Sequence, residues 1–350
     1  MPDLARQAAH VESFEARHVE LAPAPVVVAV SNLMRRFGEV TAVNGVSFEV
    51  RESEIFGFLG PNGAGKSTTI NILCTLLRPT SGSASVAGVD VTADPRGVRR
   101  QIGLVFQETT LDDYLTAEEN LRFHADLYGV PANSVSGRLD AVLAMVDLAD
   151  RRDHLVGTFS GGMKRRLEIA RGLIHSPRVL FLDEPTVGLD PQTRARIWDY
   201  ILDLRRAEAT TIFMTTHSME EAERCDRIAI IDNGVLVAID TPDALKATIG
   251  KDRIEIQVDD PRSAITELAD RFGIDARVSE DAVAFHVAGG EEFVPRLFSA
   301  FDVPIHSIRI ARPTLDDVFM TYTGRTIRDA EASTNERLRA HAQRFRGRLR

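Results

Sequence analysis

Cysteine is nearly absent: Cys74 and Cys225 are the only two in 350 residues. That excludes a disulfide-built scaffold and a Cys-rich zinc module, and it agrees with a reducing compartment. Long apolar runs are absent too. No window approaches the ~20 uninterrupted apolar residues of a membrane-spanning helix. The longest early run, Val26 to Val30, is too short for a signal-peptide core and has no basic residues just before it. The expectation is a chain that stays in the cytoplasm. Basic excess is missing as well. A net charge of -9 argues against a general nucleic-acid binder. A sustained heptad pattern is missing, which excludes a long coiled-coil arm. What remains is the composition of a soluble globular protein, 44% apolar and 27% charged, long enough for two or more domains.

Against that background one stretch dominates. Gly60-Pro61-Asn62-Gly63-Ala64-Gly65-Lys66-Ser67 fits the phosphate-binding P-loop pattern G-x-x-x-x-G-K-[ST]. The apolar run Ile55–Leu59 before it reads as a buried strand, and the residues from Thr68 onward read as the start of a helix. The glycines let backbone N–H groups turn inward toward phosphate oxygens, and the helix N-terminus adds partial positive charge. Lys66 is placed to reach the β- and γ-phosphates, and the Ser67 hydroxyl to ligate Mg²⁺. A second signal follows. Val179–Leu182 is an apolar strand that ends in Asp183 and Glu184. In a P-loop enzyme the strand-end Asp holds Mg²⁺, and the next carboxylate can orient and deprotonate an attacking water.

Strand-like runs at Val26–Val30, Val46–Val50, Val179–Leu182, Thr211–Thr215 and Ile228–Ile231 alternate with helical segments, which predicts an α/β fold with a parallel sheet covered on both faces. Residues from about Leu111 to Asp153 have helical spacing, with Thr116 and Glu119 as a capping box. They read as a separate helical lobe, drawn at about residues 111–165. After Gly250 the order reads β-α-β-β-α-β, a small α+β sandwich of the split βαβ (ferredoxin-like) kind, with a turn at Glu280-Asp281. A last helix is expected from Thr314, with Leu315, Val318 and Phe319 as its apolar stripe inside that small domain. The expected domains are therefore 26–250 and 251–325. Residues 1–25 read as a disordered extension and 326–350 as a basic tail. Arginines from Arg337 to Arg350, with Leu338, Ala342, Phe345 and Leu349 on one helical face, allow that tail a membrane-surface contact.

Phe159-Ser160-Gly161-Gly162-Met163-Lys164-Arg165-Arg166-Leu167 resembles the signature motif of ATP-binding cassette (ABC) ATPases. The family's other motifs appear in its order. Phe37 resembles the aromatic residue that stacks on adenine. Gln107 resembles the Q-loop glutamine, Gly188-Leu189-Asp190 the D-loop, and His217 the switch histidine. Three positions depart from the usual pattern, two in the signature and one at the stacking residue. Phe159 and Met163 stand where Leu and Gln are common, and Phe37 replaces the commoner Tyr, although a ring face is all that stacking needs.

The resemblance implies a mechanism. Two copies pair head to tail and hold ATP between the P-loop of one and Ser160, Gly161 and Gly162 of the other. Gln107 is implied as a further Mg²⁺ ligand beside Ser67 and Asp183. Glu184 is implied as the base, and His217 as the residue that stabilises charge at the γ-phosphate. The segments Thr186–Pro191 and Arg312-Pro313-Thr314-Leu315-Asp316-Asp317-Val318-Phe319 resemble the daunorubicin-resistance type of ATPase subunit. That implies peripheral placement on the cytoplasmic face of the membrane, with separate permease chains as partners. A hydrophobic drug is the implied cargo, with lipid or polysaccharide export and a non-transport regulatory ATPase as alternatives.

Overall fold

A computed structural model describes residues 24–279, 282–324 and 327. The proposed N-terminal extension up to residue 23, the Glu280-Asp281 turn and the Arg-rich tail lie outside the described residues. In chain order the first part reads β1 (Val26–Phe37), β2 (Val40–Arg51), β3 (Ile55–Leu59), α1 (Lys66–Leu73), β4 (Ser81–Val86), β5 (Val89–Asp90), α2 (Pro95–Gln101) and β6 (Ile102–Val105). Then come α3 (Ala117–Leu127), α4 (Ala132–Met145), α5 (Gly161–Leu173), β7 (Val179–Asp183), α6 (Pro191–Glu208), β8 (Thr211–Thr216), α7 (Met219–Ala222), β9 (Arg227–Asp232), β10 (Val235–Asp240) and α8 (Pro242–Ile249). The last part is β11 (Asp252–Val258), α9 (Pro261–Phe272), β12 (Ala276–Ser279), β13 (Ala282–Val287), α10 (Gly290–Ala300), β14 (Ile305–Ala311) and α11 (Leu315–Thr323).

The central sheet runs β10-β9-β3-β8-β7-β6, parallel except for β10. Every residue of β3, β7 and β8 is buried. Strands buried on both faces read as continuous apolar runs, and these do. Ile55 and Leu59 face the helical side, while Phe56 and Phe58 face an antiparallel sheet of order β2-β1-β4-β5. Between the sheets Phe48, Phe56, Phe58 and Phe213 pack ring against ring, with Phe48 and Phe56 stacked at 5.5 Å. The register sets the ends of β3, β8 and β7 level: Leu59 pairs with Thr216, and Asp183 with Thr215.

The helical lobe follows its expected cap. Thr116 and Glu119 form both halves of the capping box at α3. It is not one continuous helical run, however. Gly129, with φ of 70°, and Pro131 separate α3 from α4, because Gly takes the left-handed turn and Pro cannot continue a helix. Nor does the lobe's expected limit near 165 match an element boundary, since α5 continues to Leu173.

The C-terminal sheet has order β12-β13-β11-β14, wholly antiparallel, with the expected β-α-β-β-α-β sequence. Ile254, Ile256, Val283 and Phe285 alternate toward α9 and α10 and close a separate apolar cluster with Leu268 and Leu297. The last helix departs from expectation. Thr314 and Asp317 form its capping box, and Leu315, Val318 and Phe319 are fully buried, as the stripe predicts. They do not join the C-terminal cluster. They pack with Leu245, Ile249 and Val237 on the helical side of the central sheet, so α11 lies against α8 and β10. The stripe gave the buried face but not the surface it meets.

Candidate active site

The turn after β3 can be made only with glycine at two places. A Cβ at Gly60 would sit 2.3 Å from the Ile231 carbonyl oxygen, and one at Gly65, where φ is 107°, would sit 2.4 Å from that of Ala42. Pro61, Asn62, Gly63 and Ala64 bridge the two, and Ala64 accepts a hydrogen bond from the Gly234 amide at 2.9 Å. α1 starts at Lys66 with no side-chain cap and no acidic residue in its first turn. By contrast, α3, α5 and α6 are each capped by a side-chain oxygen. The first N–H groups of α1, including those of Ser67 and Thr68, are thus left for an anion, which fits a polyphosphate. Lys66 curls over the loop. Its ammonium donates to the carbonyls of Gly60 at 2.7 Å and Pro61 at 3.2 Å.

The level strand ends gather the remaining groups. The Ser67 hydroxyl donates to Asp183 Oδ1 at 3.3 Å. The Glu184 carboxylate is buried, with Oε1 3.1 Å from Lys66 Nζ and 3.3 Å from His217 Nδ1. Its Oε2 accepts from Gln107 Nε2 at 3.5 Å. Burial pushes the Glu184 carboxyl up, but the hydrogen bond from His217 and the Lys66 ammonium outweigh it and hold the carboxyl below its ordinary value. It therefore stays ionised at neutral pH, as a base must. Among the described residues no three His, Cys, Asp or Glu side chains cluster to hold a metal. The Ser67 hydroxyl and the Asp183 carboxylate still suit Mg²⁺, which takes one or two protein ligands and fills its other positions with water and phosphate oxygens. Gln107 stands at the same cluster.

Three predicted residue sets lie apart from this cluster. Phe37 closes β1 as a residue 46% exposed, and the Arg35 guanidinium lies 4.4 Å from its ring centroid. Ser160 caps α5 by accepting from the Met163 amide at 3.3 Å. Gly161 and Gly162 open the same helix, and among the described residues no hydrogen bond or ion pair joins these three to the P-loop of their own chain. A Cβ at Gly162 would lie 2.5 Å from Thr193 Cγ2, so α5 starts against α6. Asp190 caps α6 through the Thr193 amide and hydroxyl at 3.0 and 2.6 Å, and the Thr193 hydroxyl and amide hold its carboxyl below the ordinary value.

Sequence reasoning missed the supports behind this cluster. Thr215 donates to Asp183 Oδ1 and accepts from the Glu184 amide at 3.0 Å. Buried Glu221 accepts from the hydroxyls of Thr186 and, at 2.6 Å, Thr216. Buried Arg165 and Glu168 sit in α5. Arg165 lies in the charged run Lys164-Arg165-Arg166 of the signature segment, which says nothing of its burial. Its i+4 relation to buried Ile169 was the available signal.

The family model described as "ABC transporter" matches residues 43–187, and the model described as "ATP-binding protein DrrA1-3-like, C-terminal domain" matches residues 241–323. The daunorubicin resistance ATP-binding protein DrrA2 of Streptomyces coeruleorubidus is 39% identical over 317 residues, covering 87% of this chain and 97% of that one. The chain belongs to the ABC transporter ATPases. The linearmycin resistance ATP-binding protein LnrL of Bacillus subtilis is 38% identical, covering 87% of this chain and all of its own. The Nod factor export ATP-binding protein I of Burkholderia lata is 40% identical over 301 residues, covering 85% of this chain and 97% of that one. A solved ATP-binding subunit of an ABC transporter superposes with TM-score 0.59 at 31% identity, covering 64% of this chain and 93% of that one. A post-hydrolysis dimer of an ATP-binding cassette bound to ADP and Pi gives 0.56 at 28%, covering 61% and 98%. This ABC ATPase binds nucleotide and hydrolyses ATP. The C-terminal family model begins at 241, so it includes α8, the helix on which α11 rests. Among the described residues no helix is long and apolar enough to cross a membrane.

Proposed function

We propose that the chain is the energising subunit of a bacterial exporter, sitting on the cytoplasmic face of the membrane and driving separate permease chains. The observation that carries this reading is the Glu184 carboxylate, ringed by Lys66, Gln107 and His217. An intact Ser160–Gly162 stands apart from that cluster in the same chain. A site split this way suits a head-to-tail pair in which each signature completes the partner's site. Lys66 leaves its carbonyls to meet the β- and γ-phosphates. Backbone N–H groups of Gly63, Gly65, Lys66, Ser67 and Thr68 hold the remaining phosphate oxygens, while those of Gly60 and Ala64 donate to carbonyls of their own chain, and the Phe37 ring offers a face to adenine. Ser67, Asp183 and Gln107 hold Mg²⁺, which when bound neutralises phosphate charge. Glu184 takes the proton of the attacking water, and His217 steadies the charge left on the γ-phosphate. Ser160 and Gly162 donate to the partner's γ-phosphate, and Asp190 lies at the same junction. Loss of that phosphate removes a differential contact, and the pair opens.

The relatives named for daunorubicin and linearmycin resistance favour a hydrophobic drug as cargo. The similarity to a Nod factor export protein supports a second reading, a lipid or polysaccharide cargo. Co-purification with a polytopic membrane protein, followed by ATP-dependent drug uptake into inverted vesicles, tests the proposal. Purification without any membrane partner would favour a regulatory ATPase, and vesicles that move lipid-linked cargo but no drug would favour the second cargo class.

A further inference from the structure

Glu184 has φ of 47°, a left-handed backbone that a non-glycine residue adopts only when its surroundings over-determine it. Thr215 accepts from the Glu184 amide at 3.0 Å on one side, and Arg165 grips the carbonyls on the other. Its guanidinium is buried, and its N–H donors are all engaged. Nε donates to the Pro185 carbonyl at 2.6 Å, and Nη2 to those of Asp183 and Glu184 at 3.1 and 3.2 Å. Nη1 donates to the Phe106 carbonyl and to Glu168 Oε2 at 3.2 Å. One planar fork therefore grips three consecutive carbonyls around Glu184 and the carbonyl just before Gln107. Glu168 in turn accepts from the Thr110 amide at 2.7 Å, which ties the far side of the Gln107 loop to the same helix.

We infer that Arg165 is a positioning residue that holds Glu184 in its working conformation and links it to the signature end of α5. The inference rests on the reading of Glu184 as the base. Arg165 lies in the helix that Ser160 caps, so the fork around Glu184 and the signature cap belong to one helix. A lysine could replace the charge opposite Glu168, but a single ammonium cannot span carbonyls on both sides of Glu184.

The test uses the full-length chain with Arg165→Lys, Arg165→Gln and Glu184→Gln, alone and combined. Arg165→Lys is expected to lower ATP turnover about a hundredfold, the scale of a misplaced catalytic group, with ATP affinity unchanged. In the Glu184→Gln background, where the base is gone, it should lower the residual rate far less than a hundredfold, leaving only what acts through Asp183 and Gln107. Arg165→Gln, which keeps two donors without charge, should behave like the lysine variant. Parallel losses of affinity and turnover, or the same fractional loss with and without Glu184, would mean a general packing role and overturn the inference. So would the lack of a cooperative melting transition in both Arg165 variants. Inactive Glu184→Gln beside fully active Arg165→Lys overturns this inference alone. Fully active Glu184→Gln overturns the base assignment, and the inference with it.

Discussion

The central sheet and the C-terminal sheet solve burial in opposite ways. In the first, β3, β7 and β8 are covered on both faces and buried at every residue. In the second, Ile254 and Ile256 turn inward while Arg253 and Gln257 on the same strand are exposed. A sheet covered on both faces has only its strand ends to offer, and that is where Lys66, Asp183, Glu184 and His217 meet. A sheet covered on one face keeps a broad polar surface and no convergent site. Chemistry in this chain follows the strand ends, and α11 is the place where the two regions cease to be separate.

The largest expected effect tests the strand-end half of that contrast. Glu184→Gln should keep ATP binding and lower hydrolysis by about 10²–10⁴-fold, the range set by removing a general base. Single-turnover assays beside equilibrium binding check this, and hydrolysis at the wild-type rate would sink the role of Glu184. Next is the shared nature of the site. Ser160→Arg fills the space offered to a partner's γ-phosphate, so in the Glu184→Gln protein it should abolish ATP-driven dimerisation while leaving monomer binding intact. Size exclusion with ATP decides it, and equal dimer peaks would refute the head-to-tail arrangement.

A matched pair of core truncations then sharpens the border between the regions. Phe319→Ala and Phe285→Ala each remove a buried ring, at a cost of about 3–5 kcal/mol. Phe319 belongs to the central core and Phe285 to the C-terminal cluster. Loss of thermal stability should thus be accompanied by loss of ATP binding only in Phe319→Ala. Equal effects on binding would erase the distinction. The smallest effect is on pH dependence. Burial, aided by Arg171 and His175, lowers the His124 pKa from 6.5 to about 4. The unfolded chain therefore binds the proton first. The stability held by neutral His124 is complete above pH 6.5 and is lost as pH falls toward about 4. His124→Gln should flatten the melting curve against pH across that interval, and an unchanged slope would show that His124 contributes nothing there.

Much of the nucleotide cluster was legible because its signals are local. The P-loop needs glycine where no Cβ fits, and an apolar strand ending in Asp183-Glu184 marks its own position. The parallel sheet was legible because β3, β7 and β8 are uninterrupted apolar runs. By contrast, β4 carries Ser81-Gly82-Ser83, small residues that give no strand pattern, although β1 pairs with it. The Thr314 cap and the Leu315, Val318, Phe319 stripe were legible as a helix. Its docking surface was not, since periodicity reports that a face is buried and says nothing of what it meets. Arg165 was hidden for the same reason. Its i+4 spacing to Ile169 marks its face of α5 but not the carbonyls at the end of β7 and in the Gln107 loop that it meets.

The position of α11 has a consequence for how the protein is made. Leu245 and Ile249 leave the ribosome well before the Leu315, Val318 and Phe319 that cover them. Residues 250 to 314 lie between, a stretch that takes about 3–13 s to synthesise at roughly 5–20 residues per second. During that interval the nascent ATPase carries an uncovered apolar seam along α8 and β10 while the C-terminal sheet forms beside it. The last helix then closes a core begun at the other end of the message. A transcript broken between the codons for residues 250 and 314 therefore yields a protein that keeps Lys66, Asp183, Glu184 and His217 but has an unfinished interior, a ready substrate for chaperones and proteases.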